Sequence, residues 1–173
     1  IVGLGWFYYE RAKEAAERNA REELLFIDRL KSDHLEFWRR QRISDVAYIT
    51  RNPLNDRVVA PFMADPQGGK ERQAVLDWMG AILKDSLYRN VVLVDTQGQA
   101  RLTLGSAEPG PADEECNTAR EAIQTGHSSL THLHVADASG RLHTMMIVPL
   151  MQQDAPVCMG AMLLEIDPDD FLF

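Results

Sequence analysis

The chain has 173 residues, 45% apolar and 25% charged, which allows one domain or two small ones with ample material for a core. The net charge of −8 lies wholly in the second half: residues 1–88 carry 14 basic and 14 acidic side chains, whereas residues 89–173 set Arg89, Arg101, Arg120 and Arg141 against 12 acids. Neither half offers the basic stripe that neutralising phosphates requires, which excludes nucleic acid as a partner. Cys116 and Cys158 stand far apart with no CxxC spacing; they make no metal or redox motif, and could pair only as one disulfide in an oxidising compartment.

The chain opens on an apolar stretch, Ile1–Tyr9, followed at once by Glu10-Arg11-Ala12-Lys13. The stretch is too short to span a bilayer and lacks the basic start and small-residue cleavage site of a signal peptide. A buried helix, an interfacial anchor and the outer end of a transmembrane helix all fit, and Trp6, Tyr8 and Tyr9 ahead of the charges have the pattern of an aromatic belt.

Residues 5–50 read as one long helix. Ala12, Ala15, Ala16 and Ala20, then Leu24, Ile27, Leu30, Leu35, Trp38, Ile43 and Val46 recur at helical spacing, with neither Gly nor Pro from Trp6 to Asn52. At 1.5 Å per residue this helix is about 65 Å long, more than a domain of this size can enclose. Its leftover apolar residues, Leu24, Ile27, Leu35 and Trp38, predict a homodimer through the N-terminal helix. Asn52-Pro53 ends it. Residues 53–69, with three prolines and a closing Gly-Gly, predict a loop with at most one short turn. Residues 70–87 predict a second amphipathic helix burying Val75, Trp78, Met79, Ile82, Leu83 and Leu87.

The period then shifts from 3.6 to 2. Asn90–Asp95 and Gln99–Leu104 predict a hairpin around Thr96-Gln97-Gly98, and residues 113–125 a helix with acids in its first turn and Gly126 at its end. Ser129–Ala136, Leu142–Met151 and Val157–Ile166 predict three further antiparallel strands, joined by turns at DASG and near QDAP. The class is therefore α+β: a long N-terminal helix plus a second helix packed on a five-stranded antiparallel sheet.

Four of the five histidines, His127, His132, His134 and His143, fall within 17 residues. If Asp137–Gly140 is a four-residue loop, His134 lies opposite His143 and a patch of His132, His134 and His143 could hold a transition metal; a three-residue loop with a Gly bulge turns His143 to the other face. Ordinary half-buried strand histidines explain the same pattern, so no cofactor is expected. No GxSxG, HExxH or Gly-rich phosphate loop occurs, and Asp95, Glu165 and Asp167 at strand ends read as turn starters and caps. No catalytic role is assigned.

The order of elements, with VVLVDTQGQARL (Asp95–Gly98), SLTHLHVADASGRLHTMMIVPL (ending Val148-Pro149-Leu150) and VCMGAMLLEIDPDDFLF (Gly160, Ile166-Asp167-Pro168, Phe171-Leu172), resembles the extracytoplasmic Cache (PAS-like, PDC) sensor domains of bacterial transmembrane receptors. ISDVAYITRNP at Ile43–Pro53 is similar to the end of the first helix in such domains. The resemblance implies a PAS-like sheet and the boundaries 1–9 (end of a transmembrane helix), 10–88 (helical stalk and subdomain) and 89–173 (sensor domain). It implies a periplasmic ligand-sensing domain anchored in the inner membrane, not itself an enzyme, in a receptor whose output is of the histidine kinase, GGDEF diguanylate cyclase or methyl-accepting kind. The small-molecule site of that family, between sheet and crossing helix, would here involve Tyr88, Arg101, Thr103, Arg120, His132, His134, Thr144 and Met146, with Arg101 and Arg120 suited to a carboxylate. Glu165 falls where amine-binding members carry an acid, although the Trp-Tyr signature of the amino-acid-binding subgroup is missing from the covering segment. Met145, Met146, Met151, Met159 and Met162 give a soft wall. The competing readings are a dimerisation or partner-binding module whose cavity is filled by Met and Leu, and a metal or haem sensor using the histidines.

Overall fold

A computed structural model describes residues 2–84, 88–105, 113–135 and 142–166. The chain divides into two compact units, Ile1–Gln41 and Arg42–Phe173, the division falling inside the first helix, α1 (Val2–Asp45). In the first unit α1 runs unbroken, free of Gly and Pro from Trp6 onward, with surface pairs such as Lys13–Glu17 one turn apart. It leaves Leu24, Leu25, Phe26, Ile27, Leu30 and Phe37 exposed. Among the described residues no helix is long and apolar enough to cross a membrane. The side chains of Trp6, Tyr8 and Tyr9, which carry the belt pattern, lie outside the described ones.

The second unit starts in the last turn of α1. Val46 interrupts the helix (φ −87°, ψ −5°), and α2 (Ala47–Thr50) follows. The expected loop over 53–69 is instead largely helical: a π-helical turn at Asn55–Val59 runs into α3 (Ala60–Ala64), with Pro61 at the start of α3 where the helix changes type. Asn55 explains the difference. Its side chain is fully buried, and its Nδ2 protons are shared among the carbonyls of Ile49 (3.0 Å), Thr50 (3.0 Å) and Met151 (3.1 Å), while Asp56 Oδ2 accepts from Gln153 N–H at 3.0 Å. Long-range bonds thus hold a segment whose prolines alone suggest irregular chain. The helix α4 (Gly69–Leu83) buries Val75, Trp78, Met79 and Ile82 as its spacing predicts; Leu87 lies outside the described residues.

The sheet is antiparallel, in the order β2 (Ala100–Gly105), β1 (Tyr88–Val94), β6 (Cys158–Ile166), β5 (Leu142–Met151), β3 (Ser129–Leu130), with β4 (His134–Val135) also paired to β5. The expected strand 129–136 is split into two short pieces because Thr131 bonds through its side chain. Its Oγ1 accepts from Met145 N–H (2.9 Å), and its carbonyl takes the Thr144 hydroxyl (2.9 Å), so a side-chain oxygen replaces a main-chain ladder partner. His134 pairs with His143, the register of a four-residue loop; residues 136–141 themselves lie outside the described ones, as do Asp167-Pro168 and Phe171-Leu172. Gly160, at φ +150°, lets β6 pass so close to β1 that a Cβ there would fall on the Val94 carbonyl.

Register sorts the sheet into two faces, since residues directly opposite share one. Rows Val92–Leu163–Ile147 and Val94–Ala161 meet α5 (Asp113–Thr125) through Ala119, Ala122 and Ile123. Rows Val91–Leu164–Met146–Leu130 and Leu93–Met162–Val148 belong to the other face, where α4 packs on β1 and β2, and α2 on β5.

Candidate functional site: a polar row beneath α5

The α5 face is apolar through its middle rows and becomes polar toward one end. One row further, Asn90, Glu165 and Met145 stand side by side on β1, β6 and β5, with Asn90 4% and Glu165 6% exposed. From the helix above, Glu115 (3% exposed) reaches down so that its Oε1 lies 3.2 Å from His143 Nε2 on β5. Burying a carboxylate is costly unless charge or hydrogen bonds compensate it, and two carboxylates under one helix set this end apart from a packing core. Asn90 Oδ1 and Ser129 Oγ are buried with no hydrogen-bond partner among the described residues. The row thus gathers two buried carboxylates, Glu115 already bonded to His143, and an amide oxygen in a water-poor setting whose sign favours a cation or amine over an anion.

The residues expected to line the ligand site are divided by the sheet. Thr103 pairs with Val92, and His134 with His143, which puts both positions on the α5 side; Thr103 is exposed on the edge strand, and the His134 side chain lies outside the described ones. Arg120, exposed on α5, lies over the β1–β2 turn, its Nε 3.3 Å from where a Cβ on Gly98 would stand. His132 is exposed between β3 and β4. Thr144 and Met146 are fully buried on the opposite face, the former bonded to Thr131, and Tyr88 pairs with Ile166 on that same face.

Arg101 is the extra residue at the bulge between β1 and β2, and it is bound to Asp95 by Nε (2.8 Å) and a terminal nitrogen (2.6 Å). Burial pushes the Asp95 carboxyl up, but the Gln99 and Gln97 N–H groups and the Arg101 guanidinium outweigh it and hold it below its ordinary value. Arg101 therefore stabilises a turn. It borders a separate cavity of about 570 Å³ with Met63, Gln152, Val157, Cys158 and Met159. Burial raises both cysteine thiols, Cys116 with help from Glu115, and the two are not joined in a disulfide. Among the described residues no three His, Cys, Asp or Glu side chains form a metal-binding group.

Glu115 and Asn90 escaped the sequence reading. A signal for Glu115 existed: it lies on the stripe 115, 119, 122 with Ala119 and Ala122, a charge at a core position of an otherwise polar helix. Asn90 likewise alternates with Val92 and Val94 in a strand too apolar for a casual amide.

No protein-family model matches the sequence, and no curated protein matches it. Solved structures do match in fold. The extracellular domain of vpHK1S-Z8, described as a histidine kinase, superposes with a TM-score of 0.57 at 14% identity, over 88% of this chain and 60% of that one. The ligand-binding domain of the Pseudomonas aeruginosa amino acid chemoreceptor PctC, in complex with GABA, gives 0.57 at 13% identity, over 87% and 62%. A domain of a Vibrio parahaemolyticus sensory box/GGDEF family protein gives 0.52 at 14%, over 87% and 61%. The chain thus spans about three fifths of each of these domains.

Proposed function

We propose that this chain, which has the fold of the extracytoplasmic Cache (PDC) sensor domains, is a ligand-sensing domain that holds a small amine-bearing molecule beneath α5. The observation carrying this reading is the pair of buried carboxylates, Glu115 and Glu165, with the Asn90 amide, on the face that α5 covers. GABA, bound in the PctC domain of similar fold, carries an amine beside its carboxylate and so accords with an amine-bearing ligand. Arg101, engaged by Asp95, and Arg120, out on the surface, give a carboxylate weaker support. The domain would stand outside the inner membrane of a bacterium, dimerise through the apolar residues of α1 and pass ligand occupancy to the membrane through that helix. Its receptor would carry a kinase, GGDEF or methyl-accepting output, and this part would catalyse nothing. A ligand shifts such an equilibrium only by its difference in affinity between two states.

One observation favours the partner-binding reading: Val92, Val94, Met145, Ile147, Ala161 and Leu163 fill the middle of the α5 face. A thermal-unfolding panel of amines, amino acids and organic acids separates the two. A ligand at 100 times its Kd adds about 2.7 kcal/mol, several degrees for this chain. An amine hit that Glu165→Gln abolishes supports sensing; no shift from any compound favours a module that binds a protein.

A further inference from the structure

On the face of the sheet away from α5, a second cavity of about 340 Å³ lies between the last turn of α1, α2, α4 and the start of β1. Its walls are Arg42, Asp45, Tyr48, Trp78, Ile82 and Tyr88, so three aromatic rings come from three separate elements. Arg42 is 15% exposed in its side chain, and a terminal nitrogen meets Asp45 Oδ2 at 2.9 Å. Its Nε is buried and has no hydrogen-bond partner among the described residues. A buried guanidinium only partly neutralised by one carboxylate is a costly arrangement, and the residue that carries it lines a cavity able to hold a second anion.

The structure assigns this cavity to a small aromatic carboxylate, its ring among Tyr48, Trp78 and Tyr88 and its carboxylate against the charge of the Arg42 guanidinium. The rings favour a flat π-system over an aliphatic chain. An ammonium ligand would meet the Arg42 charge, and Asp45 Oδ2 is already engaged by Arg42. The volume matches the lower end of small-ligand pockets. An occupant would brace α2 and the last turn of α1 against α4 and β1. This site is independent of the amine site under α5: the two lie on opposite faces and share no residue.

Ligand-observed NMR titration of the chain with benzoate and indole-3-acetate tests the assignment, with cyclohexanecarboxylate and benzylamine as controls. The aromatic acids should bind saturably, with Kd at or below about 1 mM. Arg42→Gln and Tyr48→Ala should each weaken them about tenfold, as expected for loss of a charge-assisted hydrogen bond or a stacking ring. Tyr48 is 63% exposed, so its truncation leaves the fold intact and keeps the test decisive if Arg42→Gln unfolds. Glu165→Gln should leave aromatic-acid binding unchanged, which separates this site from the amine site. Absence of saturable binding, equal affinity in Tyr48→Ala, or equal or tighter binding of cyclohexanecarboxylate or benzylamine would overturn the assignment.

Discussion

Replacing Asn55 by Ala tests the account of how the helical layer is fixed to the sheet. The amide is fully buried and donates to Ile49, Thr50 and Met151, the last from the end of β5 and 96 positions away in the chain. Two amide protons serve three carbonyls, so the variant loses about two net hydrogen bonds at roughly 1 kcal/mol each. A further cost of about 1 kcal/mol arises because the buried Met151 carbonyl loses this donor, whereas the Ile49 carbonyl keeps the Asn52 N–H. The expected loss is about 3 kcal/mol, or about 6–12 °C in Tm for a chain of this length. Thermal and urea unfolding followed by far-UV circular dichroism would read it, with an unchanged urea slope showing that stability alone has moved. Asn55→Asp should be worse, since a carboxylate donates nothing to the three carbonyls. Asn19→Ala, at an exposed position on α1, is the control. A loss at Asn55 no larger than at Asn19 would refute the argument that this amide shapes residues 53–64.

Gly160→Ala should cost about 3 kcal/mol or more, because φ +150° strains any side chain and the new methyl meets the Val94 carbonyl; hydrogen exchange at β1 and β6 should rise, and native exchange there would contradict the close approach. Asp95→Asn should destabilise the chain at neutral pH. The Asp95 carboxyl is held below its ordinary value, so its contribution is complete above the unfolded-state pKa and is lost as pH falls through the folded one. The gap between wild type and variant should therefore close on acidification below the ordinary carboxylate range, and a gap that is constant with pH would contradict the ion pair.

The sequence made the sheet legible because strand periodicity is local. Leu142–Met151 is recovered with its bounds intact, and Gly126 ends α5 at φ +69° where a left-handed cap was expected. What stayed hidden depends on contacts between distant residues. Asn55 reads as loop composition until Met151 is beside it, and Thr131 reads as a strand residue until its hydroxyl takes the place of a carbonyl. The functional site suffered from the same cause. Thr103 and Thr144 look equivalent on paper, yet pairing to Val92 and to Ile166 sends them to opposite faces. Arg101 looked available for a ligand because nothing in its neighbourhood of sequence shows that the bulge after Leu93 aims it at Asp95. Glu165 was visible only through the family resemblance, and its burial beside Asn90 gives that position a physical meaning.

The central claim is that the buried carboxylates beneath α5 receive the amine of a small ligand. Titration calorimetry of the strongest amine from the thermal panel, against wild type and Glu165→Gln, tests it directly. Loss of a charge-assisted contact in a buried site should weaken binding about tenfold or more in Glu165→Gln. Equal affinity in the two proteins, or an absence of heat with every amine, would contradict it.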